Sequence, residues 1–431
     1  MLEHDHNRQR VEDKMSSTPH VAFVGLGYIG LPTAVVMANS GLQVTGVDVN
    51  AINVDKINRG EVTIVEPGLE DELKKAVESG RFIASTEQTK ADAYIIAVPT
   101  PFTEGHDVDM KFIYSAAEAI APQLEGNELV VLESTSPPLT TQKMAKRILE
   151  LRPDLKADSD DAPADDKTIY FAHCPERILP GNAMTELRTN DRIIGGQTSE
   201  ATRRATEIYA SFCEGELLPT NDVTAEMAKL TENSFRDVNI AFANELSLIA
   251  DKLDIDVWEL IELANHHPRV NILQPGPGVG GHCIAVDPWF IVSSDPENSK
   301  LIKTARNIND DKPNWVINKV VEALGEPEGK KLAVLGLAFK PDIDDLRESP
   351  ALNIACDLAD RFKNTAISIV EPNIDLLPDR LAGLDNVELH SLDTAVESAD
   401  AVLMLVDHKE FKEFDVEKLK GKKVIDTKGI W

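Results

Sequence analysis

His20–Val49 reads HVAFVGLGYIGLPTAVVMANSGLQVTGVDV, and this stretch decides the fold. Its first residues are a short apolar strand. YIGLPTAVVMANS then carries apolar residues at helical spacing and stops at Gly41, and LQVTGVDV is a second strand. Between the first strand and the helix, Gly25, Gly27 and Gly30 form GLGYIG. Glycines there permit a tight turn and let backbone approach a pyrophosphate, whose charge is held at the helix N-terminus. Asp48 ends the second strand, close to the spacing expected of an acid that binds ribose hydroxyls. GxGxxG alone is a weak signal; strand, helix and acid together predict a dinucleotide-binding unit. A carboxylate at Asp48 would repel a 2′-phosphate, which favours NAD over NADP.

The alternation continues downstream. AYIIAVP around Ile95, ELVVLES around Val131 and TIYFAHC around Tyr170 are buried-strand candidates, and strands alternating with helices imply a parallel, doubly wound sheet. Asp154–Asp166 is acidic, with Pro and Ala, and is expected as a solvated loop. Between Val223 and Leu253 the period turns helical with no Gly or Pro, predicting a helix of about 45 Å at 1.5 Å per residue. A helix so long usually bridges domains or forms a dimer interface. Helical sequence follows to about Asn318, interrupted by a glycine-rich turn. GEPEGKK serves as a linker, and from Lys331 the alternation resumes in KLAVLGLAF, TAISIVEP, DAVLMLVD and KKVID. The predicted fold class is therefore α/β: two Rossmann-like doubly wound domains joined by a central helical domain with a long helix. Expected boundaries are 20–220, 221–328 and 329–431, after a polar tail at 1–19 expected to be disordered, within which Met15 offers a second start.

At 431 residues the chain exceeds one ordinary core. Acidic residues outnumber basic ones 73 to 44, a net charge of −29, which disfavours nucleic acid and anionic membranes as partners. Such an excess suits either a high-salt cytoplasm or a plain acidic surface, and it requires local basic clusters if phosphates are to bind. The four cysteines include no CxxC pair, so neither a disulfide framework nor a zinc site is expected, and no metal is predicted. No apolar run approaches the ~20 residues of a membrane helix, so the expected setting is the cytoplasm.

Chemistry concentrates elsewhere. Gly276–Pro288, GPGVGGHCIAVDP, sets Cys283 in a glycine-rich turn with Asp287 four residues later. A lone cysteine is usually a small buried apolar residue, but Gly278, Gly280 and Gly281 allow backbone to approach a ligand closely. Asp287 is placed to order a water or pair with a lysine. His282 adjoins Cys283 in sequence and tends to point away, so no Cys–His dyad is implied; Cys174 in AHCPER reads as structural. On the long helix Lys229, Asn233 and Arg236 share one face: a lysine that exchanges protons with an alcohol, an amide that orients oxygen. In GLAFKPDIDDLRESP, Lys340 and Arg347 supply positive charge for a nucleotide, although the turn lacks the full three-glycine pattern. A nicotinamide site together with a thiol suggests two successive oxidations, alcohol to aldehyde and aldehyde to acid through a thioester.

Taken together, these motifs resemble the UDP-glucose/GDP-mannose dehydrogenase family, in the same order from His20 to Trp431. HPRVNILQPGPGVGGHCIAVDPWF is similar to the branch that oxidises UDP-N-acetyl-D-mannosamine at C6 for surface polysaccharide. The glucose-oxidising branch typically carries a lysine where Val286 stands. The resemblance implies Cys283 as nucleophile, Lys229 as proton donor and acceptor, and Asn233 and Asp287 as residues holding the oxyanion and water. It likewise implies that Thr135 and Glu176 order the hydrolytic water. NAD contacts would come from Tyr28, Ile29, Asp48, Thr100, Thr135 and Arg347. Nucleotide-sugar contacts would come from Arg177, Ile178, Lys229, Asn233, Arg236, His267, Arg269, Gly280, Phe339, Lys340 and Lys428. Arg269 would reach a neighbouring subunit's site in a homodimer or higher oligomer built on the long helix. The competing expectations are the UDP-N-acetylglucosamine epimer as substrate, a two-electron 3-hydroxyacid dehydrogenase that would need neither Cys283 nor the last domain, and a non-catalytic nucleotide-sugar sensor.

Overall fold

The computed structural model describes residues 18–103, 108–179, 181–281, 283–326 and 328–431. The predicted tail lies outside the described residues except for its last two positions, and so does His282. The chain separates into two compact units, one ending at Leu230 and the other spanning Thr231–Trp431.

The first unit is built on β1 (His20–Val24), β2 (Gln43–Val47), β3 (Phe82–Ser85), β4 (Ala93–Ile96), β5 (Leu129–Leu132), β6 (Lys156–Ala157), β7 (Thr168–His173), β8 (Arg192–Gly196) and β9 (Leu217–Asn221). The order is β3-β2-β1-β4-β5-β7-β8-β9, parallel except for β7 against β8, with β6 on the flank of β7. Strand order reverses between β1 and β4, which is where an open α/β sheet takes its ligand. The strands are apolar on both faces because both faces are covered. Val21 and Phe23 pack with the Gly30–Asn39 helix. Ala22 and Val24, pointing the other way, pack with Ile113, Ala117 and Met144. Gly30–Asn39 carries no charged residue, and all but its last residue are buried, which is what a helix laid in the centre of a sheet requires.

The acidic stretch at 154–166 is largely exposed, as expected of a solvated loop, but it is tied down at several points. Lys156–Ala157 joins the sheet beside β7. Asp158 accepts the Thr198 hydroxyl at 2.5 Å, and Asp160 accepts the Ser199 backbone N–H at 3.1 Å and its hydroxyl at 2.8 Å. These acids thus sit at the start of the Ser199–Tyr209 helix, where exposed N–H groups favour negative charge. Composition alone showed the charge but not the helix end that uses it.

The long helix runs Asp222–Leu253, 32 residues, and the boundary between the units falls within it. In the second unit the helices Val257–Asn265, Asp287–Ser294 and Lys300–Leu324 follow, the last extending six residues beyond the expected end. The second sheet has β10 (Lys331–Leu335), β11 (Ala366–Val370), β12 (Val387–Leu389), β13 (Ala401–Met404) and β14 (Lys423–Asp426), all parallel, in the order β12-β11-β10-β13-β14. It repeats the half-sheet β3-β2-β1-β4-β5. Leu332 and Val334 face one core and Ala333 and Leu335 the other, so this sheet too is covered on both sides. Among the described residues no helix is long and apolar enough to cross a membrane.

Candidate active site

In the first unit the turn after β1 is built as a phosphate cradle requires. Gly25 has φ +99°, and a Cβ at Gly30 would lie 1.8 Å from the Gly25 carbonyl oxygen, so neither position admits another residue without backbone movement. Above Gly27 a Cβ would meet nothing within 4 Å, leaving its backbone open to a ligand. Asp48 accepts the Leu26 N–H at 2.9 Å through one oxygen and the Asn50 N–H at 2.8 Å through the other. Its carboxylate is thereby aimed beside the turn with lone pairs to spare. These residues fit NAD: open backbone for the diphosphate, a helix N-terminus behind it, and a fixed acceptor for ribose. Ile29 stands immediately before the first helical residue.

Thr100 and Thr135, on the loops after β4 and β5, are brought together: the Thr100 hydroxyl donates to the Thr135 carbonyl at 2.8 Å. Glu176 is not solitary. Its Oε2 pairs with Arg192 at 2.7 Å, and its Oε1 accepts the N–H groups of Arg177 at 2.7 Å and Ile178 at 3.1 Å. The carboxylate therefore shapes the loop that presents Arg177 and Ile178. Arg192 is buried against the rings of Tyr209 and Phe212, with its guanidinium 3.9 Å from Glu133. Burial, and the nearby Glu176 carboxylate, push the Glu133 carboxyl well above the ordinary carboxylate range, while Arg192 pulls it back. Cys174 is buried beside them; burial pushes its thiol well above the ordinary range, in keeping with a structural part. Lys229, one helical turn before Asn233, is partly buried.

The second unit organises the cysteine loop. Gly280 is forced, since a Cβ would meet the Glu348 carbonyl oxygen at 2.5 Å and Pro350 at 2.6 Å; Gly281 has φ +85°. Phe339 lies against both glycines, so Gly280, Gly281 and Phe339 form one wall. Cys283 is exposed, and its carbonyl accepts the N–H groups of Val286 at 3.1 Å and Asp287 at 2.9 Å, closing a turn into the Asp287–Ser294 helix. At that helix start the Asn233 amide donates to the Asp287 carboxylate at 2.5 Å, both residues being buried. Asp287, expected to order a water or pair with a lysine, is bonded by Asn233 itself: two predicted residues meet through a contact that spacing did not show.

Both ends of the loop are tied to buried polar groups. The Gly276 N–H donates to Asn244 at 2.9 Å, and Asn244 donates to Asn309 at 2.8 Å. Asn309 donates to Asp237 at 2.8 Å, and Arg306, fully buried, bonds Asp237 and reaches the Ile284 carbonyl at 3.4 Å. Lys428 is 3.3 Å from Asp407 and overlies Gly276. Arg347 is exposed and clamps Asp345 through two bonds, of 2.9 and 2.6 Å. Lys340 follows Phe339, partly exposed. Arg236, His267 and Arg269 are exposed, the last two joined by an N–H to Nδ1 bond of 3.3 Å. Sequence reasoning missed Glu133, Arg192, Asp237, Asn244, Arg306 and Asn309, all isolated polar residues without a motif. Among the described residues no cluster of three or more His, Cys, Asp or Glu could hold a metal.

Residues 19–213, 223–311 and 333–431 match, in turn, the NAD binding, central and UDP binding domains of the UDP-glucose/GDP-mannose dehydrogenase family. The chain is 54% identical over 419 residues to a UDP-N-acetyl-D-mannosamine dehydrogenase of Yersinia pestis, covering 95% of this chain and 99% of that protein. It is 51% identical over 411 residues to an NDP-N-acetyl-D-galactosaminuronic acid dehydrogenase of Ralstonia nicotianae, covering 95% and 96%. Among solved structures, a UDP-D-ManNAc dehydrogenase of Pyrococcus horikoshii superposes with a TM-score of 0.83 at 38% identity, over 96% of each chain.

Proposed function

The chain belongs to the UDP-glucose/GDP-mannose dehydrogenase family, and from that premise we propose that it oxidises UDP-N-acetyl-D-mannosamine at C6 to the uronate, using two NAD per turnover, for surface polysaccharide or glycan synthesis. One observation carries the reading: an exposed thiol, Cys283, stands on a strapped glycine loop beside a buried Asn233–Asp287 pair, in a chain that also bears an NAD turn.

Gly25, Gly27, Gly30 and Asp48 would hold NAD, with Tyr28, Ile29, Thr100, Thr135 and Arg347 contributing further contacts, and NAD bound there would supply the hydride acceptor for each oxidation. Lys229 takes the C6 hydroxyl proton, directly or through water. The Cys283 thiolate adds to the aldehyde carbon, and the amide of Asn233 donates to the resulting oxyanion. Loss of the second hydride leaves a thioester. Water, ordered by Asp287, Thr135 and Glu176, then adds to the thioester carbon; the acid departs and the thiol is restored. Arg177, Ile178, Arg236, His267, Arg269, Gly280, Phe339, Lys340 and Lys428 hold the nucleotide sugar. Residues 20–220 serve the cofactor, 221–328 catalysis and dimerisation, and 329–431 the UDP group.

The test is NADH released per mole of sugar nucleotide consumed. Two NADH are expected with UDP-N-acetyl-D-mannosamine, and far slower reaction with UDP-N-acetylglucosamine and UDP-glucose. Two with another sugar would move the substrate; one would mean a simple alcohol dehydrogenase.

The working form is a homodimer in the cytoplasm. Phe235, Phe242 and Ile249 are exposed at seven-residue spacing on the long helix, an apolar stripe suited to a second copy of itself. Phe242→Glu is expected to shift the protein from dimer to monomer in sedimentation equilibrium, raising the dissociation constant by roughly a hundredfold or more. A variant that stays dimeric at low micromolar concentration would place the interface elsewhere.

A further inference from the structure

Glu66 is an acid in an unusual position: 7% exposed, in the turn before the Leu69–Glu78 helix, with no motif around it. Its Oε2 accepts the phenol O–H of Tyr28 and the N–H of Gly181 at 2.9 Å, while its Oε1 accepts the N–H of Ala183 at 2.8 Å. The Gly181 N–H is also 3.2 Å from the Tyr28 oxygen, which closes a triangle. Two segments of different duty thus meet on one carboxylate. Tyr28 is the central residue of the GLGYIG turn. Ala183 opens the Ala183–Thr189 helix and Gly181 precedes it by two residues, a short way along the chain from Glu176, Arg177 and Ile178, whose carboxylate and backbone are fixed by Arg192 and by Glu176 itself. Burial and Glu66 push the Tyr28 phenol up to about 12, so it remains a donor to the carboxylate throughout the working pH range.

We infer that Glu66 is a positioning residue that couples the NAD turn to the nucleotide-sugar loop, so that filling either site tightens the other. The inference rests on the reading above, in which Tyr28 serves NAD and Arg177 and Ile178 serve the nucleotide sugar. The physical reason is ordering. A ligand that holds Arg177 and Ile178 also restrains Gly181 and Ala183 and, through their bonds to Glu66, Tyr28, so the second ligand meets groups already ordered. Linkage makes the effect reciprocal.

The experiment is a calorimetric titration of the full-length enzyme with NAD, alone and with saturating product uronate, which gives NAD a partner without a reaction. The ratio of the two dissociation constants cancels any direct contribution of the phenol to NAD binding, and a merely structural role would not move it. In the native protein a ratio of about five to ten is expected, within the usual range for coupled sites. Tyr28→Phe keeps the ring and is expected to bring the ratio to about one, and Glu66→Gln to do the same. A native ratio of one, or a Tyr28→Phe ratio equal to the native one, overturns the inference while leaving both sites in place. Failure of the native protein to bind NAD or the uronate overturns the site reading itself, and the inference with it.

Discussion

Cys283→Ser is expected to lower steady production of the uronate by about a thousandfold or more, equivalent to ~4 kcal/mol of transition-state stabilisation. NADH should fall from two per sugar to a burst of at most one per active site. The reasoning is chemical. A serine hydroxyl has essentially no alkoxide near pH 7, whereas a thiol supplies a small but strongly nucleophilic thiolate. The first oxidation needs a base and a hydride acceptor, neither of which is Cys283, so it should survive once. The second needs the carbonyl converted to a tetrahedral adduct that can lose hydride, and serine makes that adduct slowly or leaves a slow ester. Because Cys283 is exposed, the exchange of sulfur for oxygen removes no core packing, and stability should change by less than about 0.5 kcal/mol. Rapid-quench measurement of NADH, aldehyde and acid on one sample decides the matter. Continued release of two NADH per sugar at the native rate would remove Cys283 from the chemistry.

The glycine turn was legible because its requirement is local: a positive φ at Gly25 and no room for a Cβ at Gly30 can only be met by those residues in that spacing. The strands were legible from runs such as AYII and LVVL, apolar throughout because both faces are buried. The repetition of the half-sheet was less so. In both sheets an acid at or just after the end of the second strand accepts the N–H that follows the first strand's glycine, Asp48 from Leu26 and Glu371 from Leu337. The missing glycines after Gly336 hid that likeness in the sequence. In the second sheet Glu371 is further bonded by buried His408 at 3.1 Å. An acid in that position is therefore first a clamp on the turn, and only with an open neighbour such as Gly27 a ribose ligand. Illegible altogether were the buried polar groups. Glu66, Arg192 and Arg306 look like surface residues, because their partners are distant in sequence and each bond depends on the fold being already formed.

The largest stability effect should come from one of these. Arg306→Met is expected to destabilise the second unit by about 3–5 kcal/mol, since it leaves the fully buried Asp237 carboxylate without its cation. A unit of this size should lose roughly 6–20 °C in Tm. Methionine fills the volume, so the loss measures charge rather than a cavity. The same change frees the Ile284 carbonyl beside Cys283, and kcat should fall more than KM rises, because the loop that carries the thiol loses the anchor next to it. The sign of the pH dependence distinguishes charge from packing. Burial already holds Asp237 up at about 6, against the pull of Arg306. Without the arginine its folded value rises further above that of the unfolded chain. A carboxyl raised on folding contributes stability when protonated and loses it as pH rises through its folded value. The deficit of Arg306→Met should therefore be largest at pH 8 and shrink toward pH 5. A deficit independent of pH between those limits would show that the pair acts by packing alone, and that the cysteine loop does not depend on a buried charge.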